Sequence, residues 1–474
     1  MIKLKKVKPI GNKIYLRKII YKIKSKGYKS LIEEKKIHFI EDIKYKFENE
    51  FNTSSVSLFK DYDLADKKSI ISVTSLNYIL SKNFNQFVLF SYGLNKVIFF
   101  PAPNSIIKFI NNLGYFRINK TISKILWFCY KFKFFLSGSY ELLKIFNYIF
   151  LKKKNFSLDN NKYDKVYYLS SMGEGNFNFD TRSYNCITWL YNNFISTKNY
   201  KSVLLVHSNS NNKNFIKFKN LHIKYSRYPF LDINKNSNIF IVFSILKFYL
   251  KCLFNIFKNK YDFQIILMKQ HLISIASNYF KASFDIAFFN NSDYLSRPLW
   301  TFNKNKNLNI FFYFYSTNYL KLKKNNNNIK FAVGYKSMSW PNYIFWNKTQ
   351  SKHFSTLNKH NSIIINEPVS FSDNVEELRI NQKFKKIVSL FNVQPLNFQS
   401  YIDYCLYDID DYYRDKICIN FYKQLISFFD KNILILIKEK RSNPNVSENY
   451  LNFSKKISQL DNVKFINNNI SPYK

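Results

Sequence analysis

Glycine is the scarcest punctuation in this chain, at 8 of 474 residues, and proline is nearly as rare at 10. So little glycine excludes collagen-like repeats and long flexible linkers. It also leaves few places for a glycine-rich phosphate loop, and no G-x-G-x-x-G run occurs. The five cysteines (Cys129, Cys186, Cys252, Cys405, Cys418) are far apart and never form C-x-x-C. That spacing gives no support to a disulfide framework or a zinc site and fits a reducing compartment. Six histidines are equally scattered, with no H-E-x-x-H and no paired spacing, so a resident metal is not expected. Acid is short as well: 31 Asp and Glu against 73 Lys and Arg.

Long apolar runs are missing too. The first thirty residues carry eleven Lys or Arg and no acid, but no apolar core of a secretory signal follows them. Ile125 to Leu136 is too short to span a bilayer. Ile239 to Phe257 is nearly long enough, yet it holds Lys247 and Lys251, which a helix places on one face. Each charge at mid-bilayer costs roughly 2.5–3.5 kcal/mol. A buried or interfacial amphipathic helix is the expectation, with a cytoplasmic protein making peripheral contact with an anionic inner membrane.

What the chain has in excess is Phe (50), Tyr (36), Lys, Asn and Ile. Their codons are AT-rich, so a biased bacterial genome yields this profile without a functional cause. The net charge of +42 permits anionic partners. It is spread along the chain without the dense basic blocks of a nucleic-acid reader, so no specific nucleic acid is expected. The hydrophobic fraction of 46% and charged fraction of 22% are those of a globular protein, and the length suits two or three domains.

Pattern divides the chain into a basic helical segment (1–60), a first α/β lobe (61–375) and a second (376–474). Strand-like runs are expected at 86–90 and 96–100, the latter stopped by Pro101 and Pro103, which open a helix at 104–112. From Asp164 the rhythm is strand, loop, helix. Strands are expected at 165–170, 202–207, 221–225, 284–289, 309–315 and 363–365, with helices at 181–195, near 239 and up to about 280. After a polar linker, strands at 386–391, 432–438 and 463–466 alternate with helices at 415–429 and 447–460. Alternation of this kind predicts parallel sheets covered on both faces, as in two Rossmann-like lobes. Three strands leave the flank of a parallel sheet bare, so the second lobe is expected to be incomplete and the chain a fragment.

In open α/β sheets ligands bind beyond the carboxyl ends of the strands, and five places qualify. The loop Ser171-Met172-Gly173-Glu174-Gly175-Asn176 is either a substrate loop or a plain turn. Asn290, Ser292 and Arg297 follow the run FDIAFF; amide, hydroxyl and guanidinium suit sugar hydroxyls and a phosphate, or else form a solvated turn. Trp340 and Tyr343 offer a platform for an acceptor sugar, or a packed core. Lys438, Lys440 and Arg441 end the strand NILILIK, where cations would neutralise a donor diphosphate, unless they are ordinary basic strand-end residues. The acids Asp403, Asp408, Asp410 and Asp411 are unusual in so basic a chain, but no spacing picks out a catalytic pair, and the catalytic residues stay unassigned.

Taken together, these segments resemble the polysaccharide biosynthesis proteins named for a Pro-Phe-Thr-Ser motif. The matching stretches are FFPAPNSIIKFINNLGY, SDYLSRPLWTF, NIFFYFYSTN, GYKSMSWPNYIFW, IINEPVSFSD, VSLFNVQP and LILIKEKR. The naming motif is not among the 474 residues, and the resemblance places it shortly beyond Lys474. Glu367 and Glu439 depart from the family's pattern. Membership implies a glycosyltransferase-like role of GT-B type in capsule or O-antigen assembly. It implies a nucleotide-activated sugar as substrate, a lipid-linked or oligosaccharide acceptor, and no cofactor. The rival expectations are a non-catalytic assembly or regulatory component of the same pathway and, further off, a basic nucleic-acid-binding protein.

Overall fold

The structure is a computed structural model and describes residues 41–52, 63–79, 97–98, 101–112, 117–151, 163–170, 186–208, 213–228, 238–279, 284–290, 297–302, 308–314, 337–355, 361–365, 383–392, 394–397, 414–439 and 445–466. The expected strand at 86–90, the loop 171–176, Ser292, the acids at 403–411, Lys440 and Arg441 lie outside these residues.

Helical residues 41–52 come first, then α1 (Leu64–Ile79), β1 (Val97–Ile98), α2 (Asn104–Asn112), β2 (Arg117–Ile118) and the long α3 (Lys120–Leu151). Pro101 and Pro103 lead into α2, and the Ile107 amide donates to the Pro103 carbonyl at 3.0 Å. Helical spacing turns Ile106, Ile107 and Ile110 to one side, where they join Ile43, Phe47, Phe51, Ile70 and Ile71 in an all-helical core.

Next come β3 (Lys165–Leu169), α4 (Cys186–Leu190) running into a π turn, β4 (Val203–His207), β5 (Ile216–Phe218) and β6 (Leu221–Tyr225). They are followed by α5 (Asn238–Phe254), α6 (Asp262–Ile266), α7 (Met268–Tyr279), β7 (Ile286–Asn290), β8 (Asn309–Tyr313), β9 (Asn342–Phe345), α8 (Lys348–Ser355) and β10 (Asn361–Ile364). Eight strands form one sheet in the order β10-β9-β8-β7-β3-β4-β6-β5, parallel throughout except for the β5 edge. The runs KVYYL and VLLVH are buried on both faces, which is why they read as continuous apolar stretches without alternation. Tyr168, Phe289, Phe312 and Tyr343 face one side with Trp300 and Trp340. Tyr167, Phe288, Tyr313 and Ile344 face the other, under Ile187, Trp189 and Leu190 of α4.

A second helical layer joins α3, α5 and α7 through Phe135, Ile145, Ile241, Ile245, Met268 and Leu272. Gly138 sets its spacing: a Cβ there would stand 2.7 Å from the Met268 side chain. One buried ion pair lies between α3 and α6. Lys131 Nζ reaches Asp262 Oδ1 at 2.7 Å, and Trp127 Nε1 donates to Asp262 Oδ2 at 2.7 Å. Among the described residues no helix is long and apolar enough to cross a membrane.

The last elements are β11 (Lys386–Asn392), α9 (Asp415–Phe428), β12 (Ile433–Glu439), α10 (Glu448–Ile457) and β13 (Val463–Ile466). They make a separate parallel sheet in the order β11-β12-β13. Ile435 and Ile437 pack against Cys418 and Tyr422 of α9 and Tyr450 and Ile457 of α10. The whole is mixed α/β, dominated by a large, mostly parallel sheet.

Three strands escaped the sequence reading, the first of them the two-residue β2. β5 is three residues long and lies at an antiparallel edge, too short for a periodic signal. β9 lies inside the aromatic stretch 334–346, where Tyr343, Ile344 and Phe345 are all buried and so show no polar alternation.

Candidate functional site

The order of the large sheet fixes where its crevice lies. From β3 the chain moves outward through β4 to β6, then returns to β7 on the other side of β3 and continues through β8 to β10. The reversal makes the carboxyl ends of β3 and β7 the topological switch point, the place where such sheets bind ligands. The Ser170 amide continues the ladder to the Phe288 carbonyl at 3.0 Å. Asn290, the last residue of β7, stands in register with Tyr313 of β8, and its Nδ2 donates to the Tyr313 hydroxyl at 3.2 Å. Cys186, at the start of α4, hydrogen-bonds the same Tyr313; burial pushes its thiol up to about 12. At neutral pH it is a thiol and not a nucleophilic thiolate. One strand further, burial draws His207 at the end of β4 down to about 4, so its imidazole is uncharged. The described groups at this edge are therefore neutral donors and acceptors, suited to hydroxyl groups and not to general acid–base work.

Arg297 is committed elsewhere. Its Nη1 donates to the Ser339 carbonyl, its Nε to Thr301 Oγ1 at 3.1 Å and its Nη2 to the Thr301 carbonyl at 3.4 Å. The guanidinium lies 3.6 Å over the Phe302 ring, and Asp66 of α1 stands 3.9 Å away. Burial lowers it to about 10, which leaves it charged at neutral pH. These bonds tie α1 and the segment before β9 to the short turn of helix at Leu299–Phe302.

Trp340 and Tyr343 are likewise interior. Trp340 packs between Phe289 and Phe312, with ring centres 4.7 and 5.3 Å away, and its backbone amide donates to the Tyr343 hydroxyl at 3.1 Å. No face of either ring is open for a sugar, and of the two readings of this segment the burial supports the packed core.

The same stitching encloses two neighbouring cavities that the sequence did not announce. One, of about 250 Å³, lies between α1 and α3 and is lined by Thr74, Asn77, Gln270 and Arg297 among apolar residues. The other, of about 480 Å³, lies between residues 41–52, α1 and Ser337–Ser339. Its lining mixes Tyr45, Ile71 and Met338 with the polar side chains of Glu48, Asn49, Asn52, Lys68, Ser72 and Ser337. Ser69 borders both. The first is below the usual range for ligand pockets, about 300–1,000 Å³, and the second is within it. These side chains come from distant segments, so no spacing in the sequence announces them.

In the second sheet, Lys438 occupies the carboxyl end of the central strand, in register with Phe391 and Ile466. Strand alternation points Ile435 and Ile437 at α9 and α10, and Leu434, Leu436 and Lys438 the other way. Only 8% of Lys438 is exposed, and burial draws its ammonium below the usual lysine range. That burial separates Lys438 from the many solvated lysines of this chain.

Residues 248–474 match the family of polysaccharide biosynthesis PFTS motif proteins. The motifs RPLW, FYSTN and WPNY fall inside that stretch, whereas FFPAPNSIIKFINNLGY lies before it. The PFTS match takes in β7 to β10 of the large sheet and the whole of the second one. No curated protein matches the chain. A solved structure described as "OtsA apo structure" is similar at 9% identity and a TM-score of 0.32, over 64% of this chain and 73% of that one. A likeness that loose carries no argument about chemistry.

Proposed function

We propose that this protein transfers a sugar from a nucleotide-activated donor to a lipid-linked or oligosaccharide acceptor during assembly of a bacterial surface polysaccharide. The observation that carries the reading is Lys438, a buried cation at the carboxyl end of the central strand of a second parallel sheet, inside the PFTS match. In this scheme the two sheets are the cores of two GT-B-like lobes, meeting between Ile364 and Lys386. Lys438, with Lys440 and Arg441 after it, neutralises the donor diphosphate. On the acceptor side, Asn290 and the polar side chains of the cavity beside Ser337 supply hydroxyl-binding groups, and Arg297 holds their frame.

The test is binding first and turnover second. Calorimetry of the full chain against a panel of nucleotide sugars should give one donor that binds. Lys438→Met should weaken that donor at least about tenfold, the loss expected for one charge-assisted contact to phosphate. Its thermal midpoint should hold, because an apolar chain replaces a desolvated ammonium. Absence of binding across the panel would reject the transferase reading in favour of a non-catalytic component of the same pathway.

A further inference from the structure

The outer surface of the second helical layer is apolar where a solvated layer should be polar. On α3 the exposed side chains recur at helical spacing as Ile125, Phe132, Leu136, Tyr140, Leu143 and Phe150. On α5 and the turn after it they are Phe240, Phe243, Leu250, Phe254 and Phe257, with Phe243 68% and Phe257 77% exposed. The inward residues of the same helices, such as Ile145 on α3 and Ile241 and Ile245 on α5, are fully buried. Both helices are therefore apolar on two sides, and among the described residues only one side is packed.

The two stripes form one surface. Phe132 stacks on Phe128 with ring centres 6.3 Å apart, and Phe128 stacks on Phe257 at 5.3 Å. Further along, Phe135 meets Tyr249 at 5.5 Å, so the helices run antiparallel, side by side. An exposed patch of this kind marks an interaction site on a folded protein.

Charge identifies the occupant. Lys124, Lys133, Lys247 and Lys258 are exposed along the same helices and the turn that follows α5. The acids of residues 120–151 and 238–262 are Glu141 and Asp262, and both are buried. Glu141 accepts from the Tyr228 hydroxyl at 2.8 Å and faces Lys269, and Asp262 is held by Lys131 and Trp127. A second copy of this face would set lysine against lysine with no exposed acid to answer it. Aromatic and aliphatic side chains interleaved with lysine suit the headgroup region of an anionic bilayer, where rings enter the acyl boundary and ammonium groups stay with lipid phosphates.

We infer that the α3–α5 face is a docking surface for an anionic lipid bilayer, with both helices lying on the membrane and their inner sides held by the protein core. This surface is separate from the sugar-transfer reading and does not depend on it.

Flotation of the full chain with vesicles tests it, using phosphatidylcholine alone and phosphatidylcholine with about 30% phosphatidylglycerol. The protein should float with the anionic vesicles only, and high salt should reduce the bound fraction. The triple variant Phe240→Ser, Phe243→Ser, Phe257→Ser changes exposed positions and should keep its helical circular dichroism. Its vesicle partitioning should fall at least about tenfold. A second measurement needs no change to this face. Cys129 is an exposed thiol on α3, and in a Cys405→Ser background an environment-sensitive dye on it should shift to the blue when anionic vesicles are added. Undiminished flotation of the triple variant, or no blue shift at Cys129, would overturn the inference. So would a lipid-free dimer by light scattering that the triple variant converts to monomer, since the occupant would then be a second copy.

Discussion

The two sheets follow the same rule of parallel strands joined by helices, but they differ in how their faces and carboxyl edges are finished. The eight-stranded sheet is sealed on both sides, by α4 on one and by Trp300, Trp340 and their neighbours on the other. Its edge offers Asn290, Tyr313 and a neutral His207. The three-stranded sheet is sealed by α9 and α10 on one side, while on the other Ile387 is 47% and Phe391 62% exposed. Its edge carries a desolvated lysine. A covered sheet gains stability from packing and can spend its edge on neutral hydrogen bonds. The smaller sheet keeps a cation at its edge, and burial draws that ammonium below the usual lysine range.

The largest effect separating the two should come from truncating an aromatic side chain on each. Phe312→Ala, between Trp340 and Tyr343, should cost about 3–5 kcal/mol in urea denaturation, whereas Phe391→Ala should stay within about 0.5 kcal/mol. Equal losses would mean that Phe391, exposed beside the buried Leu434 and Leu436 of the same face, is covered in solution. Next in size is the pair of edge residues. Asn290→Ala should cost about 1–2 kcal/mol, because the buried Tyr313 hydroxyl loses its donor. Lys438→Met should leave stability unchanged or raise it, and a marked loss there would make Lys438 structural.

The smallest effect is the response to acid. Burial holds His207 near 4 and His271 near 3 in the folded chain, against 6.5 when unfolded. The unfolded state therefore takes up protons first, and stability present above about pH 6.5 is lost as pH falls toward 4. Residues 386–466 contain no histidine. Among the described residues there, Asp415 is an acid that burial would raise but that hydrogen bonds from Asn449, Ser447 and the Lys416 amide hold below its usual 3.8. Its contribution is present above 3.8 and lost only below it. Hydrogen exchange, corrected for intrinsic rates, should show the large sheet loosening between pH 6.5 and 4 while the small one holds.

Much of the fold was legible because buried parallel strands announce themselves as short β-rich runs. β6 was expected at its observed bounds and α9 within a residue, since each has an unbroken apolar pattern flanked by polar residues. The antiparallel edge strand β5 and the two-residue β2 are too short to carry such a pattern, and β9, between β8 and β10, was missed because it sits inside a longer aromatic stretch with no alternation. The site was less legible. Residue type alone could not tell Arg297 the phosphate binder from Arg297 the structural tie, because the deciding partners, Asp66 and Ser339, lie far from it along the chain. Trp340 and Tyr343 had the composition of a sugar platform and proved to be interior. Lys438 stood out by its place at a strand's end, and its burial gives that place a physical meaning.

One consequence of Gly138 is mechanical. The helix that carries it is 32 residues long, and its first half sits in the all-helical core through Trp127 while its second half sits in the other helical layer through Phe135, Ile145 and Ile149. The notch where Met268 closes on Gly138 lies within the second of these anchorages, between Phe135 and Ile145. A methyl group added there would press α3 away from Met268 and carry the helix's exposed aromatic face with it, against the hold of Phe135 and Ile145 on either side. The glycine thus sets how closely the aromatic outer face of α3 is drawn onto the layer behind it.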